Sequence, residues 1–162
     1  MTTPDIIQQI DALQARYIQS LDKRNMAGWL ETFDTADDAS YICTSAENVD
    51  NDLPLALMMD DCHGRLEDRV TFITKIWAGT FQDYRTRHFI QQISCSPTGN
   101  DEYDVVTNFS VLYTPDDTGQ SEVLASGEYQ DRVKFNGSGP RFLSKKAVTD
   151  TTILPRYLVY PL

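Results

Sequence analysis

Apolar and polar residues alternate most clearly between 102 and 114. Tyr103, Val105, Thr107, Phe109, Val111 and Tyr113 fall on one side, and Asp104, Val106, Asn108, Ser110, Leu112 and Thr114 on the other. A period of two is that of a pleated strand with one face buried. The segment 123–135 repeats it, with Val123, Ala125, Tyr129, Val133 and Phe135 opposite Glu128, Gln130, Arg132 and Lys134. Between these segments lie Pro97-Thr98-Gly99-Asn100, Pro115-Asp116-Asp117-Thr118-Gly119 and Asn136-Gly137-Ser138-Gly139-Pro140. Such residues pre-set a turn or tolerate positive φ. Four strands within 86–152 are therefore expected to pair antiparallel, as a meander.

Ahead of the meander the period changes to that of a helix. Ile6, Ile10, Leu13, Tyr17 and Leu21 are spaced by four and three, which predicts a helix over about 4–22. Thr3 suits its N-cap, Pro4 its first turn, and Asp5 the positive end of its dipole. A second helix over 26–33 carries Trp29, Leu30 and Phe33 behind Asn25 as cap, and a first strand is expected at 39–46. A third helix over 65–78 places Leu66, Val70, Ile73 and Trp77 on one face, with Gly79 as its stop. Helix, helix, strand, helix and four strands make an α+β fold, about three helices on one face of a curved antiparallel sheet that wraps into an open cone. The whole chain, residues 1–162, reads as one domain.

Two segments do not fit this pattern. From 47 to 63, Asp50, Asn51, Asp52, Pro54, Asp60 and Asp61 enclose Leu53, Leu55, Leu57, Met58 and Met59. So apolar a loop has three outlets: to cover a cavity mouth, to pair as an extra strand, or to face another subunit. The tail 153–162 holds Ile153, Leu154, Tyr157, Leu158, Val159, Tyr160 and Leu162. Something must bury it: the chain itself, by an edge strand that Pro155 and Pro161 keep out of the sheet centre, or a neighbouring subunit.

Composition narrows the function. A formal charge of −10 over 162 residues argues against nucleic acid or an anionic membrane as partner, because both require clustered Lys and Arg. No apolar run reaches membrane-spanning length. Cys43, Cys62 and Cys95 form no Cys-x-x-Cys pair, which suggests reduced thiols and a cytoplasmic protein. The opening Met1-Thr2-Thr3-Pro4-Asp5 lacks the features of a signal peptide. No nucleotide, flavin or phosphate-loop motif is present.

His63 and His88 are the only histidines, and neither has a second ligand at helical or strand spacing, so no metal site is expected. For acid–base work in a cone-shaped pocket the candidates are Asp34, Tyr17, Tyr41, Tyr103, His63 and His88. The competing reading makes the tyrosines amphipathic core residues and the acids solvated caps. Arg65, Arg69, Arg85, Arg87, Arg132 and Arg141 suit pairing across subunits as well as they suit a soluble surface.

Several motifs occur in a shared order: Tyr17 in the first helix, Trp29-Leu30-x-x-Phe33 before an acidic turn and Tyr41, Arg65-Leu66-x-Asp68-Arg69-Val70, Thr86-Arg87-His88-Phe89, Val106-Thr107-Asn108-Phe109-x-Val111, and Gly127-Glu128-Tyr129-x-Asp131. Over about residues 5–146 the chain resembles the small (β) subunit of Rieske non-haem iron aromatic-ring-hydroxylating oxygenases, whose fold is a nuclear-transport-factor-like cone. The resemblance implies that this chain has no catalytic, cofactor or metal site. A large (α) subunit would carry the Rieske [2Fe-2S] cluster and mononuclear Fe(II), usually three of each subunit, served by a ferredoxin and a reductase. Tyr157, Leu158, Val159, Tyr160, Arg65 and Arg87 are then the expected subunit contacts. The apolar loop 53–59 and the compact length look like the small subunits acting on aromatic carboxylates, salicylate first, then anthranilate or benzoate. The alternative is a stand-alone isomerase, cyclase or dehydratase of the same fold, with His63 and His88 as its acid–base pair.

Overall fold

The computed structural model describes residues 3–162; the Thr3 side chain, and with it the expected N-cap, lies outside the described residues. Helix α1 spans Thr3–Asp22. Ile10, Leu13, Tyr17 and Leu21 are at most 1% exposed, and each aliphatic side chain buried this way contributes on the order of 1.5–3 kcal/mol. Helix α2, Met26–Leu30, is capped by Asn25, whose side chain accepts from the Gly28 N–H. It stops short of 33 because the next residues join the sheet margin. Phe142 donates to the Thr32 carbonyl at 2.9 Å, and Asp34 donates to the Phe142 carbonyl at 2.8 Å.

Strand β1 is Ser40–Ser45, followed by helix α3, Ala46–Asp50, with Ser45 as its cap, and by strand β2, Met58–Asp60. Of the three outlets open to this segment, pairing as an extra strand is observed, since β2 lies antiparallel on β1 with Tyr41 opposite Asp60 and Cys43 opposite Met58. Helix α4, His63–Thr71, starts two residues before the expected 65 and runs into a π-helical turn, Phe72–Ile76. The wider turn leaves Ile73 buried while Phe72 and Ile76 face outward, 42% and 54% exposed. Gly79, at φ 74°, lets the chain turn away.

The remaining strands are β3, Tyr84–Gly99, β4, Glu102–Pro115, β5, Glu122–Asn136, and β6, Gly139–Thr149. Spatial order is β2-β1-β6-β5-β4-β3. The four long strands form the expected antiparallel meander. β1, however, lies parallel to β6, from Ser40 opposite Ser144 to Ser45 opposite Thr149. The sheet is therefore mixed, a correction to the wholly antiparallel expectation. Alternation fixes which side chains share a face, not which strand lies alongside or in which direction.

In β4 the buried set is the expected one from Val105 to Tyr113. In β5 a bulge opposite Val111 and Leu112 skips Leu124, so Leu124 is buried and Val123 is 55% exposed, the reverse of the simple alternation. α1 packs on β3 and β6, α2 connects α1 to α4, and α4 sits against β1 and β2. The helices thus line the concave side. The tail after β6 forms no strand and crosses that side from the start of β3 to β1, where Val159, Tyr160 and Leu162 are buried.

Candidate functional site

The concave interior is where a cone of this kind would hold a ligand, and here it is filled by the chain's own side chains. Tyr17 comes up from α1 to meet Phe142, Tyr129 and Phe33 edge-on, at ring separations of 5.6, 6.1 and 6.3 Å. Among these rings lies a polar cluster that the sequence reading did not single out. Lys145 Nζ donates to Asp131 Oδ2 at 2.8 Å and to Gln14 Oε1 at 3.0 Å, while Gln14 Nε2 donates to the same Asp131 oxygen at 2.7 Å. The ammonium also stands 3.9–4.5 Å from the ring centres of Tyr129, Phe142 and Tyr17, a cation on electron-rich faces. Both charged side chains are 0% exposed. Burial pushes the Asp131 carboxyl up and the Lys145 ammonium down, and the attraction between them opposes both shifts.

A signal for this cluster was present in the pattern. Asp131 falls in step with Tyr129, Val133 and Phe135 on the apolar side of β5, and Gln14 lies four residues after Ile10 on the buried stripe of α1. A polar residue at such a position requires a buried partner.

The tail closes the interior from the other side. Tyr17 donates its hydroxyl to the main-chain oxygen of Leu162 at 2.6 Å, and Tyr41 accepts from the Leu162 N–H at 2.9 Å. Tyr84 accepts from Val159 N–H at 3.2 Å and from Tyr160 N–H at 3.4 Å, with the Arg156 guanidinium 3.7 Å from its ring centre. Burial pushes the Tyr17, Tyr41 and Tyr84 hydroxyls upward, so all three remain neutral hydrogen-bonding groups. Tyr17 and Tyr41 are thus brought together as anchors for backbone.

The two histidines are not brought together. His88 points from β3 to the end of α1, with Nδ1 2.6 Å from Asp22 Oδ1; Asp22 also accepts from the His88 N–H at 3.1 Å and from the Thr86 hydroxyl at 2.9 Å. Burial pushes the Asp22 carboxyl up, but these hydrogen bonds and the imidazole hold it below its ordinary value. An acid at a helix C-terminus opposes the dipole, which makes His88 its compensating partner. His63 belongs to another neighbourhood, with Nδ1 3.1 Å from the Asp34 carbonyl and Nε2 3.8 Å from Glu67. Asp34 itself accepts from Ala36 N–H at 2.9 Å and Asn136 at 3.3 Å, as a turn-capping residue does. Tyr103 packs edge-on against Phe135.

Of the residues expected at a subunit contact, Val159 and Tyr160 are buried within the chain, Leu158 is half-buried, and Tyr157 is 61% exposed. Arg65 is exposed and pairs with Asp61 at 3.3 Å, and Arg87 is exposed on the convex face of β3. Among the described residues no three His, Cys, Asp or Glu side chains gather to hold a metal ion, and the three cysteines are free and dispersed, Cys43 buried with its thiol pushed up to about 12. The donor set therefore fits neither an iron–sulfur cluster nor a mononuclear iron. No helix among the described residues is long and apolar enough to cross a membrane.

A mixed six-stranded sheet folded around its helices is the nuclear-transport-factor-like cone, and it defines the class of this chain. Residues 16–156 match the family of the ring hydroxylating β subunit, to which the chain belongs. It is 29% identical to the small subunit of anthranilate 1,2-dioxygenase of Burkholderia cepacia, over 95% of this chain and 92% of that one. It is 30% identical to the β 2 subunit of the terminal oxygenase component of terephthalate 1,2-dioxygenase of a Comamonas species, over 95% and 97%. Among solved structures, the β subunit of the benzoate 1,2-dioxygenase of Burkholderia mallei superposes with a TM-score of 0.71 at 25% identity, covering 92% of this chain and 95% of that one.

Proposed function

We propose that this chain is the non-catalytic small subunit of a cytoplasmic oxygenase that hydroxylates an aromatic carboxylate. Its partner is a large subunit holding a Rieske cluster and mononuclear iron, three of each per complex, with electrons delivered by a ferredoxin and a reductase. The observation that carries this reading is the filled interior. The space that an enzyme of this fold would offer to substrate is taken up by Tyr17, Tyr129, Phe142, the Asp131–Lys145 pair and the tail. Anthranilate, terephthalate and benzoate, named for the three relatives, are all aromatic carboxylates, which supports that substrate class and keeps salicylate within it.

The test is reconstitution. Co-expressed with the large subunit, the chain is expected to co-purify with it, and the isolated chain to turn over no aromatic substrate. His63→Ala, at a half-buried position, is expected to leave the activity of the complex within about twofold. Turnover by the isolated chain, abolished by His63→Ala or His88→Ala, would establish the stand-alone enzyme instead.

A further inference from the structure

The turn that joins β5 to β6 holds an asparagine amide from two sides. Asn136 ends β5 and is aligned with Gly139 across the hairpin, which leaves Gly137 and Ser138 at an exposed tip. Asn136 Oδ1 accepts twice from Ser138, from the N–H at 2.9 Å and from the hydroxyl at 2.7 Å. Its Nδ2 donates to Asp34 Oδ2 at 3.3 Å. The Gly137 N–H, between them in sequence, donates to no acceptor among the described residues. The positive φ of this turn falls on Gly139, at 103°, and not on Gly137. The backbone therefore does not require glycine at 137, and a Cβ added there would meet nothing within 4 Å. No other asparagine of the chain precedes a glycine.

We infer that Asn136 is a self-modifying site, at which the Gly137 backbone nitrogen attacks the Asn136 side-chain amide and the residue is converted to aspartate and isoaspartate. The loop closed by the hydrogen bond from Ser138 N–H to Asn136 Oδ1 contains both reacting atoms, Asn136 Cγ and Gly137 N, so the turn holds them near each other. In the first step hydroxide takes the Gly137 N–H proton and the nitrogen bonds to Cγ, whose π electrons move onto Oδ1. That oxygen becomes an oxyanion between the two Ser138 donors already aimed at it, an arrangement that lowers the barrier to acyl transfer. With no Cβ at 137 the attacking nitrogen is uncrowded. The Cγ–Nδ2 bond then breaks, Nδ2 takes a proton from water, and ammonia leaves behind a five-membered cyclic imide. Water opens the imide at either carbonyl, so one water is consumed and one ammonia released. Opening at the side-chain carbonyl gives aspartate, and opening at the backbone carbonyl gives isoaspartate, which adds a methylene to the main chain at the last rung of the β5–β6 ladder. Either product replaces a donor to Asp34 by a second carboxylate, and like charges at that distance repel.

The test keeps the full chain folded for days at mildly alkaline pH. Peptide mass spectrometry reads the exchange of amide for carboxyl at each asparagine, and labelling by an isoaspartyl methyltransferase reads the isoaspartate. Asn136 is expected to convert faster than Asn25, Asn48, Asn51, Asn100 and Asn108, and faster than the same asparagine in a free peptide spanning 131–141, which lacks the held turn. Ser138→Ala removes the hydroxyl donor and keeps the N–H. It is expected to slow conversion in the folded chain by about threefold to tenfold, less than the roughly 10²–10³ of a donor shielded from water because this turn is exposed, and to leave the peptide unchanged. Gly137→Ala is expected to slow both by on the order of tenfold, through crowding by its Cβ. Both substituted positions are exposed, and an unchanged circular dichroism spectrum and melting temperature verify folding. A folded chain in which Asn136 stays intact overturns the inference. So does conversion slower than in the peptide, or conversion that Ser138→Ala leaves unchanged, because in either case the contacts of the turn do not drive the step.

Discussion

Lys145 shows how much of the core depends on one polar contact. Replacing it with Met would leave the Asp131 carboxylate buried with only Gln14 as donor to Oδ2. Removing one member of a buried pair costs about 3–5 kcal/mol. Without the ammonium, burial of Asp131 is opposed only by the Gln14 hydrogen bond and raises its folded-state pKa further above 3.8. A group with a raised folded pKa is fully compatible with the fold below its unfolded pKa, and the penalty grows as pH rises through the folded value. Urea denaturation of K145M should therefore show the largest loss at neutral pH and a smaller one near pH 4. K145M/D131N should recover most of the neutral-pH loss. Asp22 behaves with the opposite sign. Its carboxyl is held below 3.8 by His88 and Thr86, so its contribution is present above 3.8 and disappears as pH falls through the lower folded value. Asp22→Asn is expected to cost about 1.5–3 kcal/mol at neutral pH, the range for hydrogen bonds to charged groups, and to flatten the acid limb of the stability curve.

Among the elements, the contact between β5 and β6 is least tolerant at Gly127. A Cβ built there would lie 2.0 Å from the Val148 carbonyl oxygen and 2.9 Å from the Thr149 Cα. Both are backbone, so the clash is relieved only by separating the strands. Gly127→Ala is expected to destabilise by about 3 kcal/mol, at the upper end for overpacking, measured by chemical denaturation, and to increase amide exchange along β6. The motif containing Gly127 was visible in the sequence, but the approach of Val148 depends on the curvature of the sheet and was not. The same boundary divides the other elements. The buried stripe of α1 and the buried side of β4 were legible because burial by one partner surface imposes a period. The parallel pairing of β1 with β6 was not, because it joins residues about a hundred positions apart. The exchange of Leu124 for Val123 was hidden by a bulge, and the end of α2 by the hydrogen bonds that Thr32 accepts from Phe142 and that Asp34 donates to it. In the interior, Tyr17 and Tyr41 stood out as candidates; Gln14 and Asp131 were legible only as polar residues on buried stripes, and their shared partner Lys145 is identified only when three elements converge.

At the scale of the whole molecule, the question is whether the tail is a cover laid over a finished core or part of the core itself. Val159 and Leu162 are 2% and 1% exposed, and the segment connects to α1 through Tyr17, to β1 through Tyr41 and to β3 through Tyr84. These elements are far apart in sequence and are held together partly by the residues between them. Lifting the tail would expose its own apolar groups and leave three buried hydroxyls without their backbone partners, each worth about 1 kcal/mol as a net hydrogen bond. If the tail is integral, damage to it lowers the stability of the entire fold; if it is a cover, it opens as a separate unit at lower free energy. The geometry favours the first. Val159→Asp is therefore expected to cost about 3 kcal/mol through the burial of an unpaired polar group and to lower Tm by about 6–12 °C for a chain of this size. Hydrogen exchange should then show protection in α1, β1 and β3 falling by the same factor as in the tail. Protection lost at 159–162 alone, with Tm unchanged, would reveal a detachable cover and a cone whose interior can open to ligands.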